Sequence, residues 1–175
     1  MIYLYRGVTP FRICGQPQRE GSFDHSLTFN LLKLNGGMEI FRDGGAYTFE
    51  YRKRHANQAL DAPILMLPSR EQDYQDDYFL SVFPKAIQLL QESTVLVLVG
   101  YSLPEEDALL RYIIRQFCED EADAPRKVIF YVDNMEVGQQ NAALVDVFPF
   151  AQDTLKVYTH SHGFAAWAKE VVSAS

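Results

Sequence analysis

A few short clusters in this chain hold residue types able to do chemistry. Gly100, Tyr101 and Ser102 directly follow the apolar run Val95-Leu96-Val97-Leu98-Val99. A glycine at that point lets backbone approach a ligand closely, and a serine hydroxyl with free helix amides supplies donors for a phosphate. Ser102 and Glu105 have the Ser-x-x-Glu spacing of a capping box, and Pro104 suits a first helical turn. The segment therefore reads as a strand that turns straight into a helix N-terminus, with Asp107 in the first turn beside the positive end of the helix dipole. Asp133 and Asn134 end a second apolar run, 128–132. A carboxylate there can bind ribose hydroxyls, and the same pair also suits a turn or a helix cap before Glu136. Asn35 precedes Gly36 and Gly37, a strong turn signal. His160 and His162 flank Ser161 in a strand-to-helix loop, with no further ligand of suitable spacing, so no metal is expected. His25 and His55 are isolated among polar neighbours and read as solvent-exposed.

The elements that must position these residues fall into a β-rich first third and an alternating remainder. Short apolar or alternating runs at 2–5, 29–34 and 46–51 predict strands, separated by Gly- and Pro-bearing turns at 15–21, 36–37 and 43–45. A further strand is expected at 63–67, stopped by Pro68. Residues 76–92 have helical spacing, with Phe79, Val82, Phe83, Ile87 and Leu90 on one stripe; Pro84 predicts a kink or a restart. Then follow strand 95–99, helix 105–118, an acidic exit loop at 119–123, strand 128–132, helix 136–147, strand 155–158 and helix 164–172. Alternation of this kind predicts a parallel sheet with crossover helices. The unbroken apolar character of 95–99 predicts a strand buried on both faces. The fold class is thus α/β: a partial Rossmann-like parallel sheet with flanking helices and a β-rich, irregular N-terminal third, in a single domain over 1–175.

Bulk composition narrows the function classes. A hydrophobic content of 47% and a charged content of 22% mark a globular chain with material for a core. The net charge of -7 disfavours a general nucleic-acid or anionic-membrane surface. The one basic run, Arg52-Lys53-Arg54-His55, is short and reads as a solvated loop or strand end. Cys14 and Cys118 lie far apart, which excludes a Cys-x-x-Cys zinc site and fits a reducing, cytoplasmic setting; Cys118 lies on the apolar face of its helix and reads as core. No run approaches the roughly 18 apolar residues of a membrane span.

Three segments together resemble one family. "LLKLNGG" at 31–37 is similar to the Lys-Leu-His-Gly-Ser segment of Sir2-like domains. "APILMLP" at 62–68, the helix after it and "VLVLVGYSLPEED" at 95–107 resemble the block ending in Gly-Tyr-Ser-Leu-Pro-x-x-Asp. "KVIFYVDN" at 127–134, then a helix and Phe148-Pro149, resemble the last Rossmann strand, whose end meets the adenosine ribose. The match covers about residues 30–172 and looks closest to the bacterial phage-defence branch, whose members hydrolyse NAD and lack a zinc ribbon.

The resemblance implies a nucleotide site in which Gly100, Tyr101 and Ser102 hold the phosphate or adenosine side of NAD or ADP-ribose. Asp133 and Asn134 would hold a ribose, and Asn35 stands at the position of the catalytic His. Asparagine can hydrogen-bond a ribose but cannot act as a base at neutral pH. The family's N-terminal half, with its Gly-Ala-Gly-x-Ser loop, has no counterpart before residue 30; residues 1–29 read as a loop-rich lead-in. Strand 95–99 is then expected at a sheet edge, open to pairing with an upstream segment or a protein partner. The expected function is the C-terminal part of a Sir2-like NAD-binding domain with NAD glycohydrolase ancestry, inactive unless an N-terminal half complements it. The alternative is a non-enzymatic interaction or nucleotide-sensing module of a larger defence complex. Neither reading has nucleic acid, membrane or zinc as a direct partner.

Overall fold

The computed structural model describes residues 3–5, 11–13, 28–51, 62–66, 74–118, 127–149 and 155–174. The basic run 52–55, the acidic loop 119–123, Cys14, His25 and His55 lie outside the described residues. The chain divides into two compact units, Met1–Ala86 and Ile87–Ser175.

The first unit is built from short strands: β1 (Tyr3–Tyr5), β2 (Phe11–Ile13), β3 (Thr28–Asn30), β4 (Ile40–Asp43) and β5 (Ala46–Phe49). β1 pairs with β3 in parallel; β5 lies between β2, parallel to it, and β4, antiparallel to it. Gly44 and Gly45 form the two-residue turn of the β4–β5 hairpin. The strands β2 and β4 were not legible in the sequence. Two expected strands are corrected. The run 29–34 leaves its strand after Asn30, because Lys33 to Gly36 turn back, the Gly36 amide donating to the Lys33 carbonyl at 3.0 Å. In 62–66 only Leu65 makes a ladder contact, an isolated antiparallel bridge to Gly36. Ile40, Tyr47, Phe49, Ile64, Tyr78, Phe79 and Val82 form this unit's core. Helix α1 (Asp77–Glu92) supplies the last three of these and continues through Pro84 without a break. Pro84 lies on the exposed side, where Leu80, whose carbonyl loses its helical donor, is also exposed.

The second unit carries the alternation read from the sequence. It comprises β6 (Val95–Val99), α2 (Ala108–Arg115) closed by a 3-10 turn (Gln116–Cys118), β7 (Lys127–Val132), α3 (Val137–Val147), β8 (Leu155–His160) and α4 (Gly163–Ser173). The three strands form a parallel sheet in the order β6-β7-β8. Leu98, Ile129 and Tyr131 lie on one face and pack with Leu103, Phe117, Leu144, Val147 and Phe148 from α2, α3 and their flanks. On the other face Phe130 stacks on Tyr158 with ring centroids 5.1 Å apart, and Trp167 of α4 lies against Phe130 at 6.2 Å.

The expectation that β6 is buried on both faces is overturned. Leu98 is buried, but Val95, Val97 and Val99 are 50%, 40% and 44% exposed. The reason is position: β6 is an edge strand, and α4 lies against the central strand β7, where Trp167 meets Phe130, leaving these valines exposed. The sheet edge expected at 95–99 is present among the described residues.

Candidate functional site at the carboxyl edge of the sheet

In a parallel sheet all strand ends point the same way, so the loops after β6, β7 and β8 meet along one edge. Val99 pairs with Val132, and Val132 with His160. The Gly100 amide donates to the Val132 carbonyl at 3.0 Å, and the Asp133 amide to the His160 carbonyl at 3.0 Å. Gly100, Tyr101 and Ser102 therefore stand beside Asp133 and Asn134, with His160 and His162 next along. The structure brings these sequence-nominated residues together. Asn35 belongs to the first unit, where its carbonyl accepts from the Met66 amide at 2.9 Å within the turn that its Asn-Gly pair predicts.

The loop after β6 differs from the expected capping box. Helix α2 begins only at Ala108, with Asp107 as its N-cap residue and no side-chain cap bond. Leu103 is the cause: it is buried in the core at 3% exposure with φ 55, a left-handed conformation that breaks any helical run from Ser102. Gly100 also has a positive φ, 61, and a Cβ there would meet nothing within 4 Å, so glycine serves the backbone conformation. Two tyrosines hold this bent loop. Tyr131 donates its hydroxyl to the Tyr101 carbonyl at 2.9 Å, and Tyr101 donates its own to the Asp107 carboxylate at 2.9 Å. Burial, then the bond to Asp107, pushes the Tyr101 hydroxyl above the usual tyrosine range. Asp107 is thus a tether for the loop. Ser102 is exposed and has no hydrogen-bond partner among the described residues.

After β7, Asp133 Oδ1 accepts the amides of Asn134 at 2.7 Å and Met135 at 3.1 Å. This Asx turn redirects the chain, and Glu136 rather than Asn134 is the N-cap residue of α3. A Cβ on Gly163 would lie 2.7 Å from Asn134 Oδ1, so glycine at the start of α4 makes room for that amide. Gln140, fully buried on α3, donates from Nε2 to the carbonyls of Met135 at 3.0 Å and His160 at 3.2 Å. It ties the loop after β7 to the end of β8; no spacing in the sequence marks it out. His160 Nε2 lies 3.3 Å from the Glu170 carboxylate, and its Nδ1 accepts the His162 amide at 3.4 Å. Both nitrogens are engaged in holding the turn into α4.

The segments 100–107, 133–136 and 160–163 contain no lysine or arginine and several carboxylates. Such an edge suits hydroxyl groups better than a bare pyrophosphate, which needs cations or a cradle of amides. Among the described residues no group of three or more His, Cys, Asp or Glu is placed to hold a metal ion. Cys118 is a free thiol packed against the core, where burial pushes its pKa up to about 11. Among the described residues no helix is long and apolar enough to cross a membrane.

Fold and edge together define an α/β protein with a partial Rossmann-like parallel sheet. No family model, curated protein or solved structure matches the chain.

Proposed function

We propose that the second unit is the C-terminal part of a Sir2-like NAD-binding domain and that its carboxyl edge receives the adenosine–ribose portion of NAD or ADP-ribose. The observation that carries this reading is the adjacency, across β6 and β7, of the bent loop at 100–102 and the carboxylate of Asp133. Asp133 Oδ1 is used by its own turn, and Oδ2 is left to accept a ribose hydroxyl. The free Ser102 hydroxyl supplies a second polar contact. Asn35 cannot serve as a base, so NAD glycohydrolysis, the reaction implied by ancestry, requires groups that another segment or protein provides.

The test is thermal unfolding of the chain against a titration of NAD and of ADP-ribose. A ligand held at 100 times its dissociation constant stabilises the folded state by about 2.7 kcal/mol, a visible shift in Tm. A saturable shift with either nucleotide, without release of nicotinamide from NAD, is the expected result. A chain that unfolds cooperatively with no shift rejects the site, and robust NAD turnover rejects the inactive reading. The exposed valines of β6 favour a second reading, a protein-interaction module of a larger defence complex, in which nucleotide has no effect.

A further inference from the structure

The outer edge of β6 has a second property besides exposure. The Val128 amide donates to the Thr94 carbonyl at 2.9 Å, and the Gly100 amide to the Val132 carbonyl at 3.0 Å. In a parallel ladder, residues of one strand alternate between pointing their amide and carbonyl at the neighbour and pointing them away. Thr94, Leu96, Leu98 and Gly100 therefore face β7. Val95, Val97 and Val99 turn their amides and carbonyls to the open side, and these are the residues whose side chains are exposed. The edge has none of the devices that usually block strand pairing: no lysine, no proline and no charge falls within it.

The sequence of this strand, Val-Leu-Val-Leu-Val, reads the same in both directions. An antiparallel pairing of β6 with a second β6, centred on Val97, sets Val97 opposite Val97 and Val95 opposite Val99. Directly opposed residues of that register exchange both of their backbone hydrogen bonds, so every outward amide and carbonyl of the three valines finds a partner. Opposed residues also share a face, so the valines of both copies merge into one apolar stripe beside α4.

We propose that two copies of this chain associate through β6, antiparallel about a two-fold axis at Val97, to make one continuous six-stranded sheet from two three-stranded ones. This pairing is isologous and closed, so it stops at a dimer. A five-residue edge buries less than the roughly 1,600 Å² of a standard interface, so the dimer is weak and concentration-dependent. The copies carry -7 each, so added salt strengthens the association by screening their repulsion. The pairing is independent of nucleotide at the carboxyl edge.

Sedimentation velocity of the full chain over a wide concentration range, at low and moderate salt, is the experiment. Val97→Lys and Val97→Glu are compared with wild type alone and as an equimolar mixture, with circular dichroism and Tm verifying that each folds; Val97 is exposed enough to accept either. A wild-type dimer is expected. Like charges across the axis should raise its dissociation constant at least about tenfold, equivalent to about 1.4 kcal/mol. The lysine and glutamate variants should restore a dimer only when mixed. A wild-type chain that stays monomeric throughout overturns the proposal. So does a dimer indifferent to both charges, or a mixture that stays monomeric. Should both variants unfold, Val97→Thr, which keeps the β-branched shape, with Val97→Pro, which removes the central amide, decides the question: the first must retain the dimer and the second abolish it.

Discussion

Tyr131, on the central strand of its sheet, reaches beneath the neighbouring loop and donates its hydroxyl to the backbone carbonyl of Tyr101 at 2.9 Å. Tyr131 is fully buried, and the loop it supports contains two residues with positive φ, Gly100 and Leu103. The hydrogen bond is what a left-handed backbone needs to stay in place against its own strain. Tyr131→Phe keeps the ring and strands the carbonyl. Denaturant unfolding should register a loss of about 1–2 kcal/mol, and any nucleotide affinity should fall with it.

Two glycines with positive φ should respond differently to the same change. Gly100→Ala meets open space and pays only the left-handed conformation, about 1 kcal/mol. Gly36→Ala would put a Cβ 2.1 Å from the Ile64 carbonyl oxygen, against backbone that cannot rotate away. Its cost should exceed that of Gly100→Ala by about 1 kcal/mol or more, since strain and clash add. Chemical denaturation followed by tyrosine and tryptophan fluorescence would give both numbers; equal costs would contradict the close approach of 31–37 to 62–66.

Asp133 combines a structural and a proposed binding role, which two substitutions separate. Asp133→Asn keeps an oxygen for the amides of Asn134 and Met135, so stability should change little. Asp133→Ala removes the turn and should cost about 1 kcal/mol. Both should reduce the shift in Tm caused by ADP-ribose, as should Ser102→Ala with no cost in stability. Retained nucleotide protection in Asp133→Asn would remove the carboxylate from the site.

Cys118 makes a prediction about pH. Its folded pKa is raised from 9.0 to about 11, mainly by burial and partly offset by Lys127. Below the unfolded value both states hold the proton and the contribution is constant. As pH rises from about 9 to about 11 the unfolded thiol ionises while the folded one does not, so stability falls across that window. Alkylation of Cys118 at pH 8 should accordingly be much slower in the native chain than in denaturant, measured by mass spectrometry of the peptide that carries it. Equal rates would place the thiol outside the core.

Much of the second unit was legible because its signals are local. Continuous apolar runs, punctuated by glycine, asparagine and a helical period, located β6, β7, β8 and the helices α2, α3 and α4 to within a few residues. The turns at Asn35-Gly36 and Gly44-Gly45 were legible for the same reason. Weak strands such as β4 were not, since Ile40-Phe41-Arg42-Asp43 has no alternation and takes its place from pairing with β5. The start of α2 at Ala108 is not legible, because the Ser-x-x-Glu spacing carries no information about Leu103, which the core draws inward into a left-handed conformation. The roles of Gln140, Tyr131 and His160 as supports of the edge are not legible in the sequence. Their partners are carbonyls on other elements or, for His160, a carboxylate and an amide beyond β8, and no local spacing in the chain encodes these contacts.

By itself the sequence determined the alternation of strand and helix, the direction of the sheet that follows from it, and the residues that end each strand. Those properties depend on neighbours along the chain. Tertiary structure alone decided that the valines of β6 lie in solvent, that Asp107 and Tyr131 anchor one loop, and that one carboxylate oxygen of Asp133 is taken by its own turn. Burial and adjacency are relations between elements: an apolar strand has the same sequence whether or not another strand lies beside it, and only the packed sheet distinguishes the two.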